Sequence, residues 1–149
     1  MLVVHSLLRW AVVLTGIYAC YRSTSGWLTK RDWSPGDARA GLFFSIAIDT
    51  QVLVGTLLYA FFSPFVRAAL ANMSAAMKDH TLRFFAVEHV TLAVAAIAIV
   101  HITRARAKRA NGVARHRVAA IGFLITFVLI LAMIPWPFLP YGRPLFRLS

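Results

Sequence analysis

The sequence predicts an all-α fold, a four-transmembrane-helix bundle with a short interfacial amphipathic helix between helices two and three. Three observations carry that prediction. Four apolar runs occupy residues 2–21, 42–62, 84–103 and 118–136, each about 20 residues long, enough to cross the roughly 30 Å hydrocarbon core of a bilayer. The chain is 60% hydrophobic with a mean hydropathy of +0.71, above the roughly one-half apolar content of soluble domains. Only 14% of residues are charged, and they gather between the runs. Backbone groups in lipid must be satisfied within their own segment, so each run is expected to be helical.

Helix one, residues 2–21, contains Ile17-Tyr18-Ala19-Cys20, which has the look of a lipoprotein cleavage site. No Lys or Arg precedes His5, so the basic start of a signal peptide is missing and the helix is expected to be retained. Cys20 is the one cysteine; it excludes an intramolecular disulfide and a cysteine-based metal site, and it reads as a small buried hydrophobe. The connection to helix two carries the turn-forming Trp33-Ser34-Pro35-Gly36-Asp37. After helix two, Ser63-Pro64 supplies a cap and a first helical residue. Val66, Leu70, Met73 and Met77 then recur at helical spacing, which predicts an interfacial helix over residues 64–77. The connection over residues 104–117 is short and basic. Pro135, Pro137 and Pro140 stop helix four, and Trp136, Phe138 and Tyr141 suit the headgroup layer, so an ordered tail along the membrane surface is expected. Residues 1–149 make a single membrane domain.

The formal net charge is +11. In a soluble protein that value would suggest nucleic acid. Here the cations sit at helix ends, where anionic headgroups favour them, so the expected partner is the lipid bilayer and nucleic acid is excluded. Ten cations lie on one side: Arg22, Lys30, Arg31, Arg39, Arg104, Arg106, Lys108, Arg109, Arg115 and Arg117. Six lie on the other: Arg9, Arg67, Lys78, Arg83, Arg143 and Arg147. The positive-inside rule places the ten in the cytoplasm and both termini outside, which in a Gram-negative bacterium means the periplasm.

Glu88-His89 is an ionisable pair inside an apolar run, a costly placement that usually serves a function. His5 and Arg9 share one face of helix one. His5 lies about 5 Å and His89 about 8 Å below the outer ends of their helices, so the two imidazoles fall at matched depth. Paired imidazoles on separate helices could ligate a b-type haem. Ala93, Ala96 and Val100 beside His89 could leave room for a flat macrocycle, or could equally allow close helix packing. The competing roles are an interfacial position for His5 and, for His89, a hydrogen bond to Glu88 or to a neighbouring helix. Glu88 could orient an imidazole, pair with Arg9 or Arg83, or pass a proton. Gln51 could bond a quinone carbonyl or a neighbouring helix. Asp49 shares a face with Ser45, and Gln51 with Gly55; the two faces lie about 200° apart. His101 points about 120° from His89; with His116 it is expected at the interface, and His80 in an exposed loop. A phosphate loop, a nucleophile–base–acid triad and a cysteine metal motif are all missing from the sequence, so no catalytic residue is assigned.

Several segments together resemble a family of short bacterial four-helix membrane proteins, some labelled cytochrome b-like. They are His5-Ser-Leu-Leu-Arg9-Trp10; Thr50-Gln51 with Gly55 and Tyr59; Met77-Lys78-Asp79 followed by Arg83-Phe84-Phe85-Ala86-Val87-Glu88-His89; Ile134-Pro135-Trp136-Pro137-Phe138; and Gly142-Arg143-Pro144-Leu145-Phe146. The resemblance covers nearly the whole chain. It implies that His5, Arg9, Gln51, Arg83, Glu88 and His89 belong to the family's motifs, as does His116 within Arg115-His116-Arg117. Asp49 departs from the pattern, standing where His or Ser is expected.

Two functions follow as expectations. The first is a cytochrome b-like subunit of an electron-transfer chain, with haem b held by His5 and His89 near the periplasmic face. Arg9, Arg83, Glu88 and Gln51 would line that cofactor or a quinone. The second is a cofactor-free accessory subunit of a larger respiratory or photosynthetic complex in the bacterial cytoplasmic membrane. A carrier ranks last, because broken helices and internal repeats are missing.

Overall fold

A computed structural model describes residues 1–146 of the chain. It is an all-α bundle. The elements are α1 (Leu2–Leu28), α2 (Pro35–Leu57) running into a π-turn (Leu58–Phe62), α3 (Pro64–Ala71), α4 (Met73–Ala76), α5 (His80–Arg83), a second π-turn (Phe84–Glu88), α6 (His89–Arg109) and α7 (Gly112–Met133). Among the described residues four continuous helices are long and apolar enough to cross a membrane: Leu2–Leu28, Pro35–Phe62, His80–Arg109 and Gly112–Met133. They close into a ring in which α1 and α6 each pack against both α2 and α7. The pairs α1/α6 and α2/α7 therefore face each other across the diagonals.

The helices overrun the apolar stretches at the cationic end. Helix one continues past residue 21 to Leu28, helix two begins at Pro35 rather than 42, helix three runs to Arg109 rather than 103, and helix four begins at Gly112 rather than 118. The basic segments expected as connections are thus mostly helical. Lys and Arg are good helix formers, and their long stems carry the charge outward while the backbone stays bonded. Ser34 fixes the start of α2: its N–H donates to Asp37 Oδ2 at 2.8 Å, and the Asp37 N–H returns a bond to the Ser34 carbonyl at 3.0 Å, with Pro35 at the first helical position. At the other end, helix three begins at His80 rather than 84. Helix four stops at Met133 rather than 136, because Pro135 lacks the N–H that the next turn needs.

The single interfacial helix expected over residues 64–77 is broken in two. Asn72 leaves helical geometry (φ −152°, ψ 84°) and its side chain caps α4 by accepting from the Ala75 N–H. Val66, Ala69 and Ala76 turn inward, while Leu70, Met73 and Met77 stay exposed, as suits a segment lying against lipid.

The core is built of small and aromatic residues. Phe44, Ile48, Ala96, Val100, Ala119 and Phe123 are buried in one cluster. Gly41 admits the Phe123 ring, since a Cβ there would lie 2.7 Å from Phe123 Cζ; such small-residue contacts let membrane helices approach closely.

The described part of the tail folds over the end of the bundle. Tyr141 stacks on Phe84 with ring centroids 3.8 Å apart, and Phe146 stacks on Trp10 at 5.2 Å. The Leu145 carbonyl accepts from Trp10 Nε1 at 3.2 Å and from the Arg9 guanidinium. Arg147, counted among the outer cations, lies outside the described residues.

Candidate functional site

The six residues singled out from the sequence divide into three groups. His5, His89 and Gln51 converge. The His5 and His89 rings, from diagonal helices, lie 6.3 Å apart between centroids with planes inclined by 58°. His89 Nδ1 lies 2.9 Å from the Met133 carbonyl. A carbonyl only accepts, so Nδ1 carries the proton and Nε2 keeps a free lone pair. Gln51 Nε2 donates to the His5 carbonyl at 3.1 Å and faces His5 Nε2 at 3.3 Å. His5 Nδ1 and Gln51 Oε1 are buried without a hydrogen-bond partner among the described residues. Gly55, one turn beyond Gln51, leaves space for the His5 ring, whose Cε1 would lie 3.2 Å from a Cβ at that position.

Glu88 and Arg83 form their own pair. Arg83 Nε meets Glu88 Oε1 at 2.6 Å with the side chains 31% and 41% exposed, so this is a flank contact rather than part of the imidazole centre. Arg83 also donates to the Met77 carbonyl at 3.1 Å. Arg9 serves the tail, donating to the Leu145 carbonyl and to Ser6 Oγ.

The haem expectation can be tested against this packing. Imidazole nitrogens bind a transition metal at about 2 Å, so a shared ion places them about 4 Å apart; a 6.3 Å centroid separation is compatible. The plane between the rings is the difficulty. Ala96 and Val100, the small face that could have left room, are fully buried in the helix core. Phe84 packs 5.6 Å from His89 under the Tyr141 ring, and Gln51 and Gly55 close around His5. The ring separation is compatible with a shared metal ion, but the packing around the rings does not fit a flat macrocycle. Two clefts of about 280 Å³ each lie at the opposite end, and neither is lined by His5, His89 or Gln51.

His101, expected at the interface, has a half-exposed side chain that also reaches α2, its Nε2 lying 2.8 Å from Asp49 Oδ1. One turn away Arg104 Nη1 donates to Ser45 Oγ at 2.7 Å, so Ser45 and Asp49 face α6 while Gln51 and Gly55 face α1, as their angular separation requires. His116, also expected at the interface, is fully buried. Its ring lies 4.8 Å from Trp33, in space that exists because residue 26 is glycine: a Cβ there would fall on the imidazole.

The sequence reading missed two features. Both π-turns border the His5–His89 end, and such turns recur at functional sites because one extra residue re-aims the side chains that follow; no residue pattern announces them. The other is Asp37, whose side chain is 1% exposed. It accepts from Arg22 Nε at 2.9 Å, from Arg31 at 2.6 and 2.7 Å, and from Ser34 N and Oγ at 2.8 Å each. Bonding to this carboxylate raises the Arg31 guanidinium above its ordinary value. The Ser-Pro-x-Asp spacing is the signal that could have exposed it.

Comparison with protein-family models, with curated proteins and with solved structures gives no match.

Proposed function

We propose that this chain is an accessory subunit of a larger membrane complex, docked through the face formed by α2 and α6. The Asp49–His101 pair carries the reading. Asp49 lies seven residues beyond the start of the apolar run at Leu42, about 10 Å inside it by helix rise. The side chains of the pair are 41% and 47% exposed, and a carboxylate facing lipid at the depth of Asp49 costs several kcal/mol. A protein surface laid over the pair removes that cost. Ile46, Leu53, Val94 and Ile102 are also exposed on these two helices and supply apolar contact. The other polar groups within the spans suit this role as register locks: His5 with Gln51, His89 with Met133, Arg104 with Ser45.

The resemblance to cytochrome b-like membrane proteins supports a respiratory or photosynthetic host complex in a bacterial cytoplasmic membrane. The ten-to-six cation balance supports termini on the periplasmic side. Native gels of mild-detergent extracts test the docking. The wild type is expected to migrate in a complex, and a Asp49→Ala/His101→Ala variant to shift toward free monomer. A photo-crosslinker at Leu53 should capture an integral membrane protein in the wild type alone. A wild type that runs as a lone monomer and crosslinks only lipid overturns the reading.

A cytochrome b-like function keeps two observations in its favour, the ring separation and the Met133 bond that leaves His89 Nε2 free. It requires the packing around the two rings to open. Absorption spectra of oxidised and reduced protein decide it: a haem band lost in His89→Ala supports this reading, and a wild type without one ends it.

A further inference from the structure

We infer that the cleft at the cationic end is a binding site for a phosphate-bearing anion. The cleft, of about 280 Å³, opens between the start of α2, the end of α6 and the start of α7. Arg39, Arg104, Lys108 and Arg115 line it together with Trp33. Among the described residues none of the four cations forms a salt bridge. Asp37, the carboxylate on the wall, is already held by Arg22 and Arg31 and leaves their charges uncompensated.

Two unpaired donors sit buried behind the same wall. Trp33 Nε1 and Arg115 Nε have no hydrogen-bond acceptor among the described residues. The Arg115 guanidinium sits 4.5 Å above the Trp33 ring, which holds both donors on one wall. Buried N–H groups are rarely left unpaired, since each costs about 1–3 kcal/mol. Four like charges around one cleft ask for a multiply charged acceptor, and a phosphate group answers that demand.

The floor of the cleft is apolar, made by Leu42 and Phe123. Headgroup phosphates lie at this level of a bilayer, and basic pockets between helix ends are where anionic lipids settle. A lipid phosphate and free phosphate share the recognised chemistry, and the experiment separates them.

Full-length protein in mixed micelles is titrated with phosphatidylglycerol, phosphatidylcholine or inorganic phosphate and followed by native mass spectrometry and thermal melting. The wild type should retain phosphatidylglycerol and melt higher with it than with phosphatidylcholine. Arg39→Gln/Arg115→Gln should weaken that binding about twenty-fivefold, at roughly fivefold for each cation removed. Arg67→Gln/Lys78→Gln, at the opposite end, should not. Stabilisation by inorganic phosphate that the cleft variant loses identifies free phosphate as the source. Should the double variant fail to fold, Lys108→Gln at the exposed rim provides the same comparison at about fivefold. Equal retention of both lipids with no response to phosphate overturns the inference. So does an unchanged affinity in the cleft variants, or cleft-dependent binding of an acidic peptide by a protein that ignores both phosphate probes.

Discussion

Two polar clusters, one at each end of this bundle, are satisfied to opposite degrees. At the cationic end one carboxylate, Asp37, collects five hydrogen bonds from Arg22, Arg31 and Ser34, tying α1, the following loop and α2 together. At the other end His89 has one partner, and His5 and Gln51 share theirs while leaving Nδ1 and Oε1 unpaired. A buried polar group is informative less by its presence than by how fully it is satisfied. Asp37 is fully satisfied and reads as a clamp. The His5–His89 end is partly satisfied and retains hydrogen-bonding capacity.

The largest effect expected from that contrast is at Asp37. Removing one member of a buried ion pair costs about 3–5 kcal/mol, less where the partners reach water. Arg22 and Arg31 are 28% and 32% exposed, so Asp37→Ala should cost about 2–3 kcal/mol. Thermal melting in mild detergent should show a clear drop, larger than for His5→Leu at the other end. A smaller drop than for His5→Leu would break the comparison.

Gly26→Leu should come next. The added side chain must occupy space now filled by the His116 ring, and overpacking of this kind costs about 1–3 kcal/mol. His116→Ala in the same chain should restore part of the loss, a coupling that melting of the two single variants and the double variant measures. Purely additive losses would mean that the glycine serves something other than the imidazole.

Much of this architecture was legible in the sequence because membrane helices declare themselves by length and hydropathy. The four runs, the cap at Ser63-Pro64, the proline stop after helix four and the opposed faces of Asp49 and Gln51 all follow from local rules. The matched depth of His5 and His89 also followed, since helix rise fixes depth. What surrounds the rings did not. Whether Ala96 and Val100 frame a slot or a packed seam depends on how closely neighbouring helices approach, and that is set by residues far apart in sequence, such as Phe44 and Ile48. His116 departs from the expected interface for a related reason: helix four already runs through the basic segment from Gly112 and carries that side chain back among its neighbours.

Gln51→Leu sharpens the comparison from the weaker end. It removes the bonds to the His5 carbonyl and ring, and side-chain hydrogen bonds between membrane helices average about 0.6 kcal/mol. Melting should fall slightly, by well under the Asp37→Ala change. A loss comparable to Asp37→Ala would show that the apparently loose end is held as firmly as the clamped one.

Glu88→Gln should have the smallest effect, although Glu88 stands beside His89 within an apolar run. Its contact with Arg83 is short, at 2.6 Å, but both side chains are partly exposed, and exposed pairs contribute about 0–1 kcal/mol because water screens them and two long side chains must be ordered. Arg83 keeps its bond to the Met77 carbonyl in the variant, so the π-turn that aims His89 retains one anchor. The melting temperature should therefore change little at physiological salt, and the small change should shrink further as salt is raised. A large, salt-insensitive loss would place Glu88 in a desolvated network with His89. It would then join the imidazole centre rather than its flank, and the contrast between the two ends would have to be redrawn around a carboxylate at each.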